Sequence, residues 1–256
     1  MSRRFRTDIR RVGAGLTTLA GSYLHTVVAG DWKACRTCAL PVKGYDRCPQ
    51  CVTHLRSHLP LADRTGFLVY ADKPNSQAYR TMFGYKEHRL RPQYEPIVRG
   101  LLAVGLRAHF GCANALAGTT DSGWAVVPST KGRSVLADLV RGLSRTPSAE
   151  VPVWFTGVAP DRGLNPESWE VTTSSVLPAH VLVIDDSWVT GSSAQSLAAA
   201  LKTAGVQRVS IMSIARVLSP DWEPNKSFIK HVLPRLPYDW QVCPWTGGPC
   251  PDNASA

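Results

Sequence analysis

The 256-residue chain predicts an α/β fold, a mostly parallel sheet with helices on its faces, preceded by a small cysteine knuckle. Three observations point there. Short continuous apolar runs recur between about residues 60 and 218, the pattern of strands covered on both sides. Helix-like segments separate those runs, and alternating strand and helix implies parallel pairing. Ahead of them, Cys35, Cys38, Cys48 and Cys51 form two C-x-x-C pairs.

Residues 1–34 read as a basic arm. Arg3, Arg4, Arg6, Arg10 and Arg11 precede an uncharged stretch from Val12 to Gly30, the order of a signal peptide. Thr17, Thr18, Ser22, His25 and Thr26 interrupt the stretch and four glycines dilute it, so a short surface helix or frayed arm is expected, with no membrane role. The expected setting is soluble and cytoplasmic.

Residues 35–59 hold the knuckle. A tetrahedral Zn²⁺ takes four thiolates, and paired C-x-x-C turns present them, so Cys35, Cys38, Cys48 and Cys51 are expected to bind structural zinc. Lys33, Arg36, Lys43 and Arg47 are close enough in sequence to offset the charge of such a centre. Disulfides are the alternative, which a cytoplasmic setting disfavours.

Residues 60–218 form the sheet domain. Strands are expected at Gly66–Tyr70, Trp124–Val127, Val151–Phe155, Val181–Ile184 and Val209–Ser213, and helices at Tyr94–Ala108, Ser134–Leu143 and Ser193–Ala204. Residues 219–256 are rich in Pro and Trp and read as irregular structure wrapping the body. In open α/β sheets ligands bind beyond the carboxyl ends of the strands, which directs attention to the loops after Val127 and Ile184.

Composition narrows the ligand. Hydrophobic residues make up 44% of the chain, enough for a proper core, so disorder is excluded as the dominant state. A formal net charge of +10 favours anionic partners, either phosphorylated small molecules or nucleic acid. Seven cysteines, an odd number, argue against a fully paired disulfide framework.

The loop after Ile184 is the most informative stretch. A strand delivers Asp185 and Asp186, and a turn with Thr190, Gly191, Ser192 and Ser193 then runs into a helix. Glycine permits close backbone approach, successive N–H groups at a helix start cradle an anion, and the hydroxyls add donors. A sugar phosphate accounts for both halves: the carboxylates take its hydroxyls and the turn its phosphate. The plainer alternative is a strand-to-helix turn with Asp caps. A second loop, Val126-Val-Pro-Ser-Thr-Lys-Gly-Arg133, offers Ser129 and Thr130 as donors and Lys131 and Arg133 as cations for a pyrophosphate. A basic surface turn is its alternative.

The 181–193 segment resembles the phosphoribosyl pyrophosphate signature of type I phosphoribosyltransferases, and the 126–133 loop resembles their pyrophosphate loop. A four-cysteine knuckle ahead of such a domain is similar to the ComF family of competence-related proteins, over about Cys35 to Val217. Tyr85-Lys86 after a helix, and Arg162-x2-Asn165 before Trp169 and Val171, are weaker echoes. The sequence departs from the signature at Ser187 and Trp188, and Trp188 would reshape the ribose side of the pocket.

The resemblance implies a type I phosphoribosyltransferase sheet and transfer of a phosphoribosyl group from phosphoribosyl pyrophosphate, with Mg²⁺, to an unidentified acceptor. Lys131, Arg133 and Lys86 would hold the pyrophosphate, Thr190–Ser193 the 5-phosphate, and Asp185 and Asp186 the ribose hydroxyls. A cover segment over Asp161–Trp169 would exclude water. The alternative is a non-catalytic protein that senses the same ligand and binds single-stranded DNA. Elsewhere, the histidines show no triad or metal spacing, Cys112 reads as a small buried residue, and Cys243 and Cys250 read as structural thiols, a metal half-site or a redox pair being the other uses.

Overall fold

A computed structural model describes residues 3–28, 32–158, 163–172 and 176–252, with side chains from residue 8 onward. It opens on α1 (Arg3–Ala20), a helix of 18 residues. Ile9, Leu16 and Ala20 fall on one buried stripe while Arg10 and Arg11 face out, so the helix packs against the body from Ile9 to Ala20. The chain continues through β1 (His25–Thr26), the cysteine knuckle, α2 (Pro49–Leu55), β2 (Arg64–Asp72), α3 (Gln77–Gly84), α4 (Arg91–Ala108) and α5 (Phe110–Ala117). Then come β3 (Ser122–Val126), α6 (Val135–Leu143), β4 (Val153–Phe155), β5 (Trp169–Val171), β6 (His180–Trp188), α7 (Ser192–Thr203), β7 (Arg208–Leu218) and α8 (Glu223–His231).

The central sheet has the order β1-β2-β7-β6-β3. β2, β7, β6 and β3 run parallel, and β1 pairs antiparallel with β2 at the edge. Successive side chains on a strand point to opposite faces, and β6 shows the consequence. Leu182 and Ile184 join a core with α1, α3, α4 and α6, whereas Val181 and Val183 join one with the knuckle, α7 and α8. The knuckle therefore sits on the sheet face that carries α7, not on a separate lobe.

Three expectations differ from this architecture. Val151–Phe155 does not join the main sheet: Val151 donates to the carbonyl of Trp124, then β4 turns away and pairs antiparallel with β5. Its alternation explains why, since Trp154 is 61% exposed while Val153 and Phe155 pack inward, the pattern of a two-sided ribbon rather than a buried strand. The arm is a full helix in the core, and α3 and α5 carried no strong sequence signal. The tail contains α8, with Phe228 buried. Among the described residues, no helix is long and apolar enough to cross a membrane.

Candidate functional site

The cleft begins where β3 and β6 end. These strands are neighbours in register, Val126 opposite Ile184, so the loops that follow them rise side by side. Between them opens a cleft of about 860 Å³. Lys86, Ser129, Thr130, Lys131, Arg133, Asp185, Asp186, Thr190, Gly191, Ser192 and Ser193 all line it. Parallel pairing thus brings together residues from three stretches of chain that the sequence singled out separately.

Gly191 is the hinge of the anion turn. Its φ of +83° lies in the left-handed region, and a Cβ there would collide with the Trp188 ring beneath it. Trp188 is accordingly not in the cleft. It is buried under the turn, its ring edge-on to Phe67 at 5.4 Å on the knuckle side of the sheet. The expectation that it shapes the ribose side is corrected: Trp188 packs with Val181 and Val183 on the knuckle face, out of phase with the alternation that puts Leu182 and Ile184 on the other face. The hydroxyls of Thr190 and Ser192 lie 3.1 Å apart at the start of α7, and the Ser192 amide donates to the Thr190 hydroxyl at 3.4 Å.

The two carboxylates have different surroundings. Asp185 accepts the amide N–H of Asp186 at 2.9 Å, and burial, reinforced by the negative charge of Asp186, pushes its carboxyl up to about 7. Asp186 is held from the side. Tyr85 donates to its Oδ2 at 2.6 Å and Lys86 pairs with the same oxygen at 2.5 Å. Burial, with the charge of Asp186 beside it, raises the Tyr85 hydroxyl well above its usual range, so the phenol keeps its proton to donate. Across the cleft, Ser129 accepts the Lys131 amide in a turn closed at Gly132, and Arg133 pairs with Glu87 at 2.8 Å. Lys131 is exposed.

Aromatic residues contribute to the lining of the cleft. Trp154, Phe155 and Trp169, from the β4–β5 ribbon, line it together with Phe83. The expectation that Val151–Phe155 joins the main sheet leaves out this aromatic lining. Val153, Trp154 and Phe155 are all apolar, so no local sequence pattern separates this ribbon from a buried strand. Of the cover segment, residues 161 and 162 lie outside the described residues; Asn165 donates its amide to the Ser196 hydroxyl of α7 at 2.8 Å.

The knuckle lies directly behind the anion turn. Cys35, Cys38, Cys48 and Cys51 are buried, and their sulfurs all lie within 4.8 Å of one another. Zinc–sulfur bonds of about 2.3 Å put tetrahedral sulfurs roughly 3.8 Å apart, and Cys38 and Cys48 already stand at 3.6 Å. The four residues could hold a metal ion, for which zinc is the apt choice. The nearby cations are arranged otherwise than expected. Arg36 pairs with Asp46 at the surface, Arg47 donates to Thr37, and Lys33 and Lys43 are exposed.

The charge facing the sulfurs comes instead from β7. Arg216, 2% exposed, places a guanidinium nitrogen 3.4 Å from Cys38 Sγ and donates to the Cys38 carbonyl at 2.6 Å. The same side chain donates to the carbonyls of Trp188 and Val189 at 3.0 and 3.3 Å. A second link runs through His54 of α2, which packs against Gln50 and reaches Ser192 Oγ at 3.5 Å. Burial lowers the His54 imidazole, keeping it neutral. A charged residue inside the apolar run of β7 was the sequence signal for Arg216. Comparison of the chain with protein-family models and with curated proteins gives no match.

Proposed function

We propose that the chain binds phosphoribosyl pyrophosphate, or a related ribose phosphate, and transfers the phosphoribosyl group to an acceptor with release of pyrophosphate, as a type I phosphoribosyltransferase of the ComF kind. The observation that supports this most is the convergence of an acid pair, a hydroxyl- and glycine-lined helix start and a cationic loop on one cleft. A free phosphate would not call for the acid pair. A dinucleotide would not call for a second, cationic loop.

In this reading the Thr190–Ser193 turn and the first amides of α7 hold the 5-phosphate. Asp185 and Asp186 accept the ribose hydroxyls, and Ser129, Thr130, Lys131 and Arg133 hold the diphosphate. Lys86, already on Asp186, stands ready to share its charge with the diphosphate. The anomeric C–O bond breaks and its electron pair leaves with pyrophosphate. A lone pair of the acceptor forms the new bond at that carbon, and the acceptor's proton passes to solvent. Positive charge develops on the sugar, and Asp186 is the carboxylate best placed to stabilise it. Mg²⁺ would enter with the diphosphate and offset its charge. Trp154, exposed and lining the cleft, offers a flat acceptor a surface on which to stack.

Calorimetry with phosphoribosyl pyrophosphate and Mg²⁺ tests the assignment. The double variant D185N/D186N should bind at least about tenfold more weakly, roughly 1.4 kcal/mol, and unchanged affinity would defeat it. Pyrophosphate release with a panel of nucleobases then separates a transferase from a sensor. The sensor reading, with single-stranded DNA as partner, draws on the net charge of +10 and on Arg10 and Arg11 exposed along α1. It requires oligonucleotide affinity that falls steeply with salt. A cytoplasmic setting, where thiols stay reduced, suits either reading.

A further inference from the structure

The tail returns to the body at a place the cleft does not use. His109 stands between α4 and α5, and Cys112 lies one turn into α5. Cys243 and Cys250 come from the tail, more than a hundred residues later, yet all four ligand atoms lie within 4.8 Å of one another. His109, Cys112 and Cys243 are at most 2% exposed, whereas Cys250 is exposed. Neither half of the group has a pattern as plain as the knuckle's: His109-x2-Cys112 is one helical turn, and Cys243-x6-Cys250 is a loop.

We propose that His109, Cys112, Cys243 and Cys250 form a second zinc centre that staples the C-terminal segment to the body. The imidazole is already oriented as a ligand. Its Nε2 lies 3.2 Å from the carbonyl of Trp240, which can only accept, so the ring proton is on Nε2 and the lone pair on Nδ1. Nδ1 points at the thiols, 3.6 Å from Cys250 Sγ. The Cys243 loop is closed by its own backbone, the Cys243 amide donating to Gly248 and that of Gly247 to Cys243, which presents both tail sulfurs on one side. A three-sulfur, one-nitrogen set at this spacing is a closed, structural zinc site with no position for substrate. A disulfide would engage two of the three thiols and strand the imidazole and the third.

The staple has a definite reach. Trp240 lies so close over Gly13 of α1 that no Cβ fits there, and Trp245 lies against Gly66 of β2, where a Cβ would come within 2.8 Å of its ring. Trp245 also donates to the His109 carbonyl at 3.0 Å. One metal would thus fix the tail against α1, the α4–α5 junction and β2 together. The centre is independent of what the cleft binds.

Metal analysis of the full-length chain, kept reduced and dialysed after saturation with zinc, should find about two equivalents, and C250S about one. Cobalt substitution reads the ligands directly. The difference between wild-type and C250S spectra should carry d–d bands at shorter wavelength than those of a four-thiolate centre. Chymotrypsin should cut after Trp245 faster in C250S than in wild type. A wild-type chain that saturates at about one equivalent, or C250S that retains two, would overturn the proposal. Should C250S fail to fold, wild-type cobalt spectra with four-thiolate bands alone would do the same.

Discussion

Asp185 and Gly191 carry the sharpest residue-level consequences. Because burial and the charge of Asp186 raise Asp185 to about 7, the folded chain holds a proton there that the unfolded chain, near 3.8, has lost. That contribution to stability is complete below about pH 4 and is lost as pH rises through about 7. Under the proposed function ligand affinity runs the other way, because an ionised carboxylate accepts sugar hydroxyls better, so phosphoribosyl pyrophosphate should bind more tightly between about pH 6 and 8. D185N should flatten both profiles, as read by thermal melts and calorimetry across that range. Gly191→Ala meets both a left-handed φ and the Trp188 ring, and should cost roughly 2 kcal/mol or more together with most ligand binding. The acid pair and this glycine were legible in the sequence because their local spacing carries the chemistry. The unequal environments of the two acids were not, since Tyr85 and Lys86 reach Asp186 from a hundred residues away.

At the scale of elements, the knuckle and the anion turn behave as one unit. Arg216 spans them, holding Cys38 with one edge and the carbonyls of Trp188 and Val189 with the other, while His54 touches Ser192 from α2. Replacing Arg216 with Met leaves buried carbonyls unpaired and should lower stability by about 3 kcal/mol or more, measured by denaturant unfolding. If zinc fills the four-cysteine knuckle, stripping it should loosen the turn as well, seen as faster hydrogen exchange of the amides over residues 188–193. An unchanged exchange rate there would separate the knuckle from the site. The two C-x-x-C pairs were plain in the sequence. Their partner was not, because no spacing rule connects Cys38 to an arginine 178 positions later.

Over the whole molecule, the basic arm and the tail prove to be parts of the core. Leu16 is 3% exposed within the cluster that α1 shares with α4, and L16A should cost about 2–5 kcal/mol in chemical denaturation, a loss that a frayed arm would not show. The tail closes over the same region through Trp240 and Trp245, so α1 and residues 240–245 meet on one side of the sheet.

The apolar runs of β2, β3, β6 and β7, the acid–glycine turn, the cationic loop and the four-cysteine knuckle were determined by sequence alone, because each depends on residues near one another along the chain. The burial of α1, the departure of β4 into an aromatic ribbon, the link through Arg216 and the gathering of His109 and Cys112 with Cys243 and Cys250 were decided only by tertiary structure. Those contacts join residues far apart along the chain, and it is the packing of the sheet faces, not any local pattern, that brings them together.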